Sequence, residues 1–332
     1  MYISPEEEKK SIVFGKKFSI LIYNTLRKSI IDERSNFTSF LNNYKQVKHW
    51  IISSDYCIGD KNKKNSTMAF SIMPEIEQLS NIKKKIKLFA PIDIKKSRHI
   101  SEDFIHFMRS GYIFNVVLII KDIKNILNSR ESIFLTLKYT KEYTESLKND
   151  NSKQTRDLIK KLDMLMDKVR SPSFNCKIFR HSIVLSIIYS FIAACIAEHT
   201  KSDKIIIYPD RDSMTESNRG FAFDFMKLNY HGLSSLYNAP EPELIIHEQE
   251  NDNLWFDELI RIPDYLAGTF ADWDRENNRC REKFLPMIED FAADNNFLHL
   301  FEFGAYREGN MDKFHNIIVE IKKPSPKQVA SS

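Results

Sequence analysis

The sequence of 332 residues contains little glycine, with 8 glycines against 24 phenylalanines and 13 tyrosines. So many aromatic residues favour a large folded core over a disordered chain. The patterns G-x-G-x-x-G and G-x-x-x-x-G-K-[ST] are absent, which argues against dinucleotide and P-loop chemistry. Hydrophobic residues make up 42% of the chain and charged residues 28%. This is the profile of a folded soluble protein.

Cysteine is also scarce, and none of the four cysteines lies near another: Cys57, Cys176, Cys195 and Cys280. Without a C-x-x-C pair or a Cys/His cluster, we do not expect a structural zinc site. The histidines lack H-x-H and H-E-x-x-H spacing, so we assign none a catalytic role. The first residues show no apolar signal-peptide segment. The sequence therefore predicts a cytoplasmic protein with buried, unpaired thiols.

Residues 182–197 form an uncharged run that contains three serines and a tyrosine. The run is shorter than the ~20 residues that a membrane-spanning helix needs. We predict that it is the central buried helix of a globular domain. A membrane helix is the alternative.

The net charge of +4 and the isoelectric point near 8.6 permit nucleic-acid binding without demanding it. Basic runs occur at residues 61–64, 83–85 and 95–98, in the strand-rich half of the chain. These side chains could contact phosphates, and a solvated lysine-rich surface is the alternative. The candidate nucleic-acid contacts are Lys61, Lys63, Lys64 and Arg211.

The order of apolar segments predicts an α/β protein with a mixed sheet flanked by helices. The predicted strands are residues 47–55, 66–73, 86–92, 116–120, 205–208 and 244–247, with further extended segments at 297–303 and 317–321. Helices are predicted at 101–110, 216–237, 254–276 and 278–295, and throughout 122–200. We divide the chain into an N-terminal helical extension (1–45), a domain (46–296) with a helical insertion (122–200), and a C-terminal extension with a disordered tail (297–332). This layout resembles the ribonuclease-H-like fold.

Three aspartates lie where an apolar segment ends or a helix begins. Asp55 closes the run 47–54, Asp210 closes 204–209, and Asp264 lies within 259–268. If the strands that end in Asp55 and Asp210 are neighbours, their carboxylates approach each other, and a divalent cation relieves the repulsion. All-oxygen sites suit Mg²⁺ or Mn²⁺.

Asp264 follows Pro263, and this order predicts a position near the start of a helix. Asp212 competes with Asp210 as a metal ligand. The alternative for each aspartate is an ordinary cap or turn residue.

The segment around Asp264 resembles a motif of the domain of unknown function 3800 family, which belongs to the ribonuclease-H-like superfamily. That motif reads roughly Leu-Gln-hydrophobic-Ala-Asp-hydrophobic-hydrophobic-Ala-Gly. The aspartate, the apolar positions and the Ala-Gly ending match residues 259–268, with Arg261 in place of Gln and Pro263 in place of Ala.

The family's first strand ends in Asp-Glu-Ser-Gly, and residues 55–59 are similar to it in keeping Asp55 and, one place late, Gly59. The similarity in element order covers roughly residues 47–275. It implies a nuclease-like site with Asp55, Asp210 and Asp264 as catalytic metal ligands and Asp212 in reserve.

Two functions follow as expectations. The first is a Mg²⁺- or Mn²⁺-dependent nuclease that acts with a partner protein in bacterial anti-phage defence or in a toxin system. The second is a catalytically degenerate member that binds or scaffolds a protein or nucleic-acid complex. The letters PD at 209–210 and ExK at Glu320–Lys322 also match a nuclease pattern, but more than a hundred residues separate them. We interpret this match as chance.

Overall fold

The computed structural model describes residues 14–31, 35–147, 153–237, 239–247, 255–308 and 311–322. Within these residues the chain forms one mixed seven-stranded sheet with helices packed on both faces. The α/β class predicted from the sequence is therefore confirmed. The beginning of the N-terminal extension and the predicted disordered tail fall largely outside the described residues.

The helices are α1 (Phe14–Ile30), α2 (Asn36–Asn43), α3 (Leu79–Phe89), α4 (Glu102–Met108), α5 (Arg130–Ser146), α6 (Lys153–Val169), α7 (Cys176–His199), α8 (Ser213–Tyr237, interrupted at residues 217–220) and α9 (Asp257–Asp272). The strands are β1 (His49–Cys57), β2 (Ser66–Pro74), β3 (Phe114–Lys121), β4 (Lys204–Pro209), β5 (Glu243–Ile246), β6 (Leu298–Glu308) and β7 (Met311–Ile318).

The strand order across the sheet is β5-β4-β1-β2-β3-β6-β7. Strand β2 runs antiparallel to both of its neighbours, β1 and β3. Strands β1, β4 and β5 are mutually parallel, and β6 is parallel to β3 and antiparallel to β7. The C-terminal strands β6 and β7 thus extend the central sheet. The division of the chain at residues 45/46 and 296/297 stays a prediction.

Successive residues of β1 point to opposite faces of the sheet, as a strand requires. Trp50 and Ile52 pack into the core that contains α1, α2 and α5 to α8, whereas Ile51 packs against α3, α4 and α9. Asp55 has the same parity as Ile51, so it faces the α9 side.

Helix α7 is the predicted buried helix. It is long and apolar enough to cross a bilayer, but 89% of its most apolar stretch is buried within the protein. That burial fits the core helix of a globular domain.

Two predicted elements are wrong. Residues 86–92 are not a strand, because residues 86–89 form the last turn of helix α3. Ile82 and Ile86 lie one turn apart on the buried face of that helix. Residues 278–295 are not one helix, because the chain there forms only a 3₁₀ turn (Glu282–Phe284) and a π-helical turn (Met287–Ala292), with Pro286 between them.

Candidate carboxylate site

Asp55 lies inside strand β1 and does not close it. The strand continues to Cys57 because β2 pairs with it as far as Thr67, with Asp55 opposite Ala69. Asp55 is only 9% exposed. The prediction of a strand-closing residue is therefore wrong by two positions.

Asp210 follows the last residue of β4, as predicted. The parallel pairing places Pro209 opposite Ser54. The backbone N–H of Asp210 then donates to the carbonyl oxygen of Ser54 at 3.0 Å. This pairing brings Asp210 beside the next residue of β1, which is Asp55.

Asp264 lies in the middle of helix α9 and not near its start, because the helix begins at Asp257 and continues through Pro263. A proline inside a helix removes one backbone hydrogen bond and is costly. The Asp264 carboxylate accepts the backbone N–H of Ile94 at 3.0 Å. Strand β1, the turn after β4 and helix α9 thus each contribute one aspartate to the same place.

The carboxyl group of Asp55 lies within hydrogen-bonding reach of those of Asp210 and Asp264. Burial, and then the charges of Asp210 and Asp264, raise the pKa of Asp55 well above its usual range. Burial also raises the pKa of Asp210 and of Asp264 to about 6 each. A hydrogen bond between two carboxyl groups requires a proton on one of them. The cluster therefore retains protons at a pH where isolated carboxyls have lost them.

Lys95 lies close enough to this cluster for its charge to interact with the three carboxylates. Burial lowers the pKa of Lys95, but the charges of Asp93, Asp264, Asp55 and Asp210 outweigh it and leave the pKa raised. Its loop is tied to α9 by two further hydrogen bonds. Arg261 donates to the Ala90 carbonyl at 2.7 Å, and the Tyr265 hydroxyl donates to the Ile92 carbonyl at 3.0 Å.

The cluster opens into a cleft of about 1060 Å³ that Asp55, Asp212 and Asp264 help to line. Its basic lining residues are Lys63, Lys64, Lys95, Arg279, Arg281 and Lys283. Asp210 lines a smaller neighbouring cleft. Asp212 caps α8, because its Oδ1 accepts the backbone N–H of Met214 at 2.7 Å. The cap alternative thus describes a real role of Asp212, at the edge of the same cleft.

The structure brings two of the four candidate nucleic-acid contacts to the cleft. These are Lys63 and Lys64, which form ion pairs with Asp272 and Asp274 at 3.1 and 3.4 Å. Lys61 is exposed in the preceding turn and is not among the described lining residues. Arg211 pairs with Glu216 at the smaller cleft.

Sequence reasoning missed the basic side chains that come from the far end of the chain: Arg279, Arg281 and Lys283. Three basic residues within residues 279–283 were the available signal. Glu320 and Lys322 pair with each other at 3.4 Å and line a separate cleft, so the PD and ExK letters do not form one site.

Within the described ranges, no group of three or more His, Cys, Asp or Glu side chains is arranged around one point as a ready-made metal cage. The aspartates instead contact one another through Asp55. Their oxygen donors do match the preference of Mg²⁺ and Mn²⁺. Comparisons of the chain with protein-family models, curated proteins and solved structures gave no match.

Proposed function

We propose that this protein is a metal-dependent nuclease whose divalent cation is held by Asp55, Asp210 and Asp264. The observation that carries the proposal is the convergence of three carboxyl groups, from three separate elements, beside a large cleft. Asp212, at the edge of that cleft, is the reserve ligand.

The energetics of the cluster support a functional role. Burial and like charge together disfavour the ionised form of each aspartate. Such an arrangement lowers stability unless a proton or a cation compensates it, and strongly perturbed groups in a cleft are typical of functional sites. A divalent cation would replace the shared protons and satisfy the oxygens.

The sheet also supports the proposal. Its central strands follow the order β3-β2-β1-β4-β5, with β2 antiparallel to its neighbours and β1, β4 and β5 parallel. This strand order and these directions support the proposed ribonuclease-H-like fold, as does the similarity of the motif around Asp264 to the domain of unknown function 3800 family. Action in the cytoplasm with a partner protein, in anti-phage defence or a toxin system, extends the proposal by fold analogy alone.

The roles of the side chains follow from their positions. Asp55, on a strand buried between two others, is the most rigidly placed ligand, and the N–H of Ile94 orients Asp264. The bound cation would supply an activated water and stabilise the leaving oxygen of a phosphodiester. Lys95, whose charge faces the cluster, would offset the negative charge of the phosphate.

A second candidate is a binding or scaffolding subunit that has lost catalysis. It is favoured by the residue after Asp55, which is tyrosine where the family motif has glutamate. The Tyr56 hydroxyl bonds the hydroxyl groups of Ser54 and Tyr189 in the buried core on the other face of the sheet. The end of β1 therefore supplies one carboxylate and not two.

Cleavage of end-labelled single-stranded DNA, duplex DNA and RNA distinguishes the two candidates. With Mg²⁺ or Mn²⁺ the wild type should cleave at least one substrate, and EDTA should stop the reaction. Asp55→Asn, Asp210→Asn and Asp264→Asn should each reduce cleavage to background, whereas Glu320→Gln, an exposed carboxylate at another cleft, should not. Metal-dependent cleavage that survives all three aspartate substitutions would sink the assignment.

A further inference from the structure

Three basic side chains surround one buried aromatic ring in the wall of the cleft. The charged groups of Lys63, Arg281 and Lys283 lie 4.9, 4.9 and 5.1 Å from the ring centroid of Phe284. Phe284 is only 1% exposed. The pKa of Lys283 is lowered by burial and then by the charges of Arg281 and Lys63. We call these three side chains the basic trio.

The basic trio carries more positive charge than its ion pairs neutralise. Lys63 and Arg281 share a single carboxylate, Asp272, at 3.1 and 2.8 Å. Lys283 donates instead to the carbonyl oxygens of Ile94 and Ser97, at 2.7 and 3.1 Å. Within its own ion pairs the trio thus has three cations for one carboxylate, and it lies at an open cleft whose other carboxylates are those of Asp55, Asp60, Asp212, Asp264 and Asp274.

The basic trio lies close to the carboxylate cluster. Ile94 accepts a hydrogen bond from Lys283 through its carbonyl oxygen and donates its N–H to Asp264. One residue therefore separates the nearest cation of the trio from the nearest carboxylate of the cluster. A chain of phosphates that reaches the carboxylates would pass the trio.

Among the described residues, the lining offers charge but no exposed aromatic surface for bases. The aromatic lining residues in the described part of the cleft are Tyr56 and Phe284, which are 8% and 1% exposed. Proteins that grip single strands by their bases stack them on accessible rings. At about 1060 Å³ the cleft is also at the upper end of the volumes typical of small-molecule sites. Both features favour a strand held by its backbone over a mononucleotide held by its base.

We propose that Lys63, Arg281 and Lys283 form a phosphate subsite that binds the backbone of a nucleic-acid strand without reading its bases. This inference rests on the proposed function, because it names the substrate that the carboxylate cluster would cut. Phosphate contacts fix the register of a strand and carry no sequence information. Binding should therefore be indifferent to sequence and strongly dependent on salt.

The test measures fluorescence anisotropy in EDTA with short labelled strands: single-stranded DNA of two sequences, a base-free strand with the same phosphodiester backbone, single-stranded RNA, and inorganic phosphate as competitor. The wild type should bind the base-free strand within about threefold of the others, because phosphate contacts carry the affinity. Arg281→Gln should weaken all strands alike, by roughly tenfold. It should also reduce the salt slope by about one.

Two further variants separate charge from folding. Arg281→Lys keeps the charge and should retain most of the affinity. Lys160→Gln removes an exposed charge from α6, on the opposite face of the sheet, and should leave binding unchanged. A base-free strand that binds more than about tenfold more weakly, or an Arg281→Gln affinity equal to that of the wild type, overturns the subsite.

The outcomes also separate this subsite from the nuclease proposal. If the wild type binds every strand through Arg281 but never cleaves, the subsite proposal stands and the nuclease proposal fails. If Arg281→Gln cleaves and binds strands as well as the wild type does, the nuclease proposal stands and the subsite proposal fails. Inorganic phosphate is compared with an unlabelled strand at the same concentration of phosphate groups. If the two compete equally well, the subsite proposal is overturned, because the site would then bind a free anion.

Discussion

The carboxyl group of Asp55 on strand β1 lies within hydrogen-bonding reach of the carboxyl group of Asp264 on helix α9. Asp210 makes the same kind of contact with Asp55 from the turn after β4. These contacts hold only while a proton or a cation bridges the oxygens. Without metal, the contacts among these carboxyl groups should therefore depend on pH. At neutral pH they should depend on whether a metal ion is bound.

The first prediction concerns stability and pH in EDTA. The folded pKa of Asp264 is raised to about 6 from an ordinary value of 3.8. A raised carboxyl pKa adds stability below about pH 4, and that contribution is lost as the pH rises through about 6. Asp264→Asn removes this dependence. We expect the variant to be more stable than the wild type at pH 8, by on the order of 3 kcal/mol, and the two to converge near pH 4.

Comparing the two proteins is necessary because histidines whose pKa is lowered titrate in the opposite direction. Burial lowers the pKa of His181 and of His299 to about 4 each, so their contribution is lost as the pH falls. The difference between wild type and Asp264→Asn cancels this common term. Glu320→Gln, at a separate cleft, should track the wild type at every pH. If Asp264→Asn lost stability at pH 8, the carboxylate cluster would not be strained.

The second prediction concerns metal binding without any assay of cleavage. A cation that binds only the folded protein raises its stability by about 2.7 kcal/mol at a hundred times its dissociation constant. We expect Mn²⁺ to raise the Tm of the wild type at pH 8 in a concentration-dependent way. The double variant Asp55→Asn/Asp264→Asn should show no shift. An equal shift in both proteins would place the cation elsewhere and favour the binding subunit.

The sequence predicted most of the sheet because buried strands leave local patterns. The runs 66–73, 116–120, 205–208 and 244–247 all lie within strands β2 to β5 or overlap them. The two-residue alternation of β1 also places Asp55 on the same face as Ile51. The exact end of β1 was not predictable, since its pairing with β2 sets it, and the register that places Cys57 opposite Thr67 is not fixed by the pattern of either strand alone.

Other features depend on tertiary contacts that no local pattern records. Pro263 favours a helix start, yet α9 continues through it, with its apolar face buried against the sheet. Residues 279–283 carry an obvious cluster of charge, but its place beside Lys63 comes from a contact across more than two hundred residues. The three carboxylates, Lys63 and Lys64 could be nominated from sequence, whereas the place of Arg279, Arg281 and Lys283 in the same cleft could not.

The third prediction tests the fold beside the cleft. The Arg109 guanidinium donates to four backbone carbonyls at 2.7 to 3.0 Å, those of Asp290, Phe291, Ala293 and Asp294. These carbonyls lie at the end of the π-helical turn that leads into β6. Arg109→Ala leaves them without this donor, and we expect a loss of roughly 2–3 kcal/mol in urea unfolding.

Lysine at position 109 is the informative comparison. Its single ammonium cannot reproduce the planar fork of arginine, so Arg109→Lys should recover only part of the stability. Cleavage per folded molecule should stay unchanged in both variants, because Arg109 is not among the described lining residues of the cleft. Full stability in Arg109→Ala would show that water replaces the guanidinium without loss.

The last prediction concerns Asp272, the carboxylate that Lys63 and Arg281 share. Its side chain is 10% exposed, and it also accepts the backbone N–H of Arg281 at 2.8 Å. Burial alone would raise the pKa of Asp272, but hydrogen bonds from Arg281 and Lys63 leave it lowered. A lowered carboxyl pKa adds stability at neutral pH that is lost as the pH falls. Asp272→Asn should therefore reduce stability at pH 7, and the loss should shrink toward acid.

The same substitution should strengthen strand binding, because it removes the negative charge that competes with phosphate for Lys63 and Arg281. We expect a severalfold tighter strand complex in EDTA and a steeper dependence on salt. Asp274→Asn, which frees only the exposed Lys64, should have a smaller effect. Measurement at a temperature where both variants are fully folded separates affinity from stability. Weaker binding by Asp272→Asn under those conditions would mean that the carboxylate positions the two cations, and that their charge alone does not capture the strand.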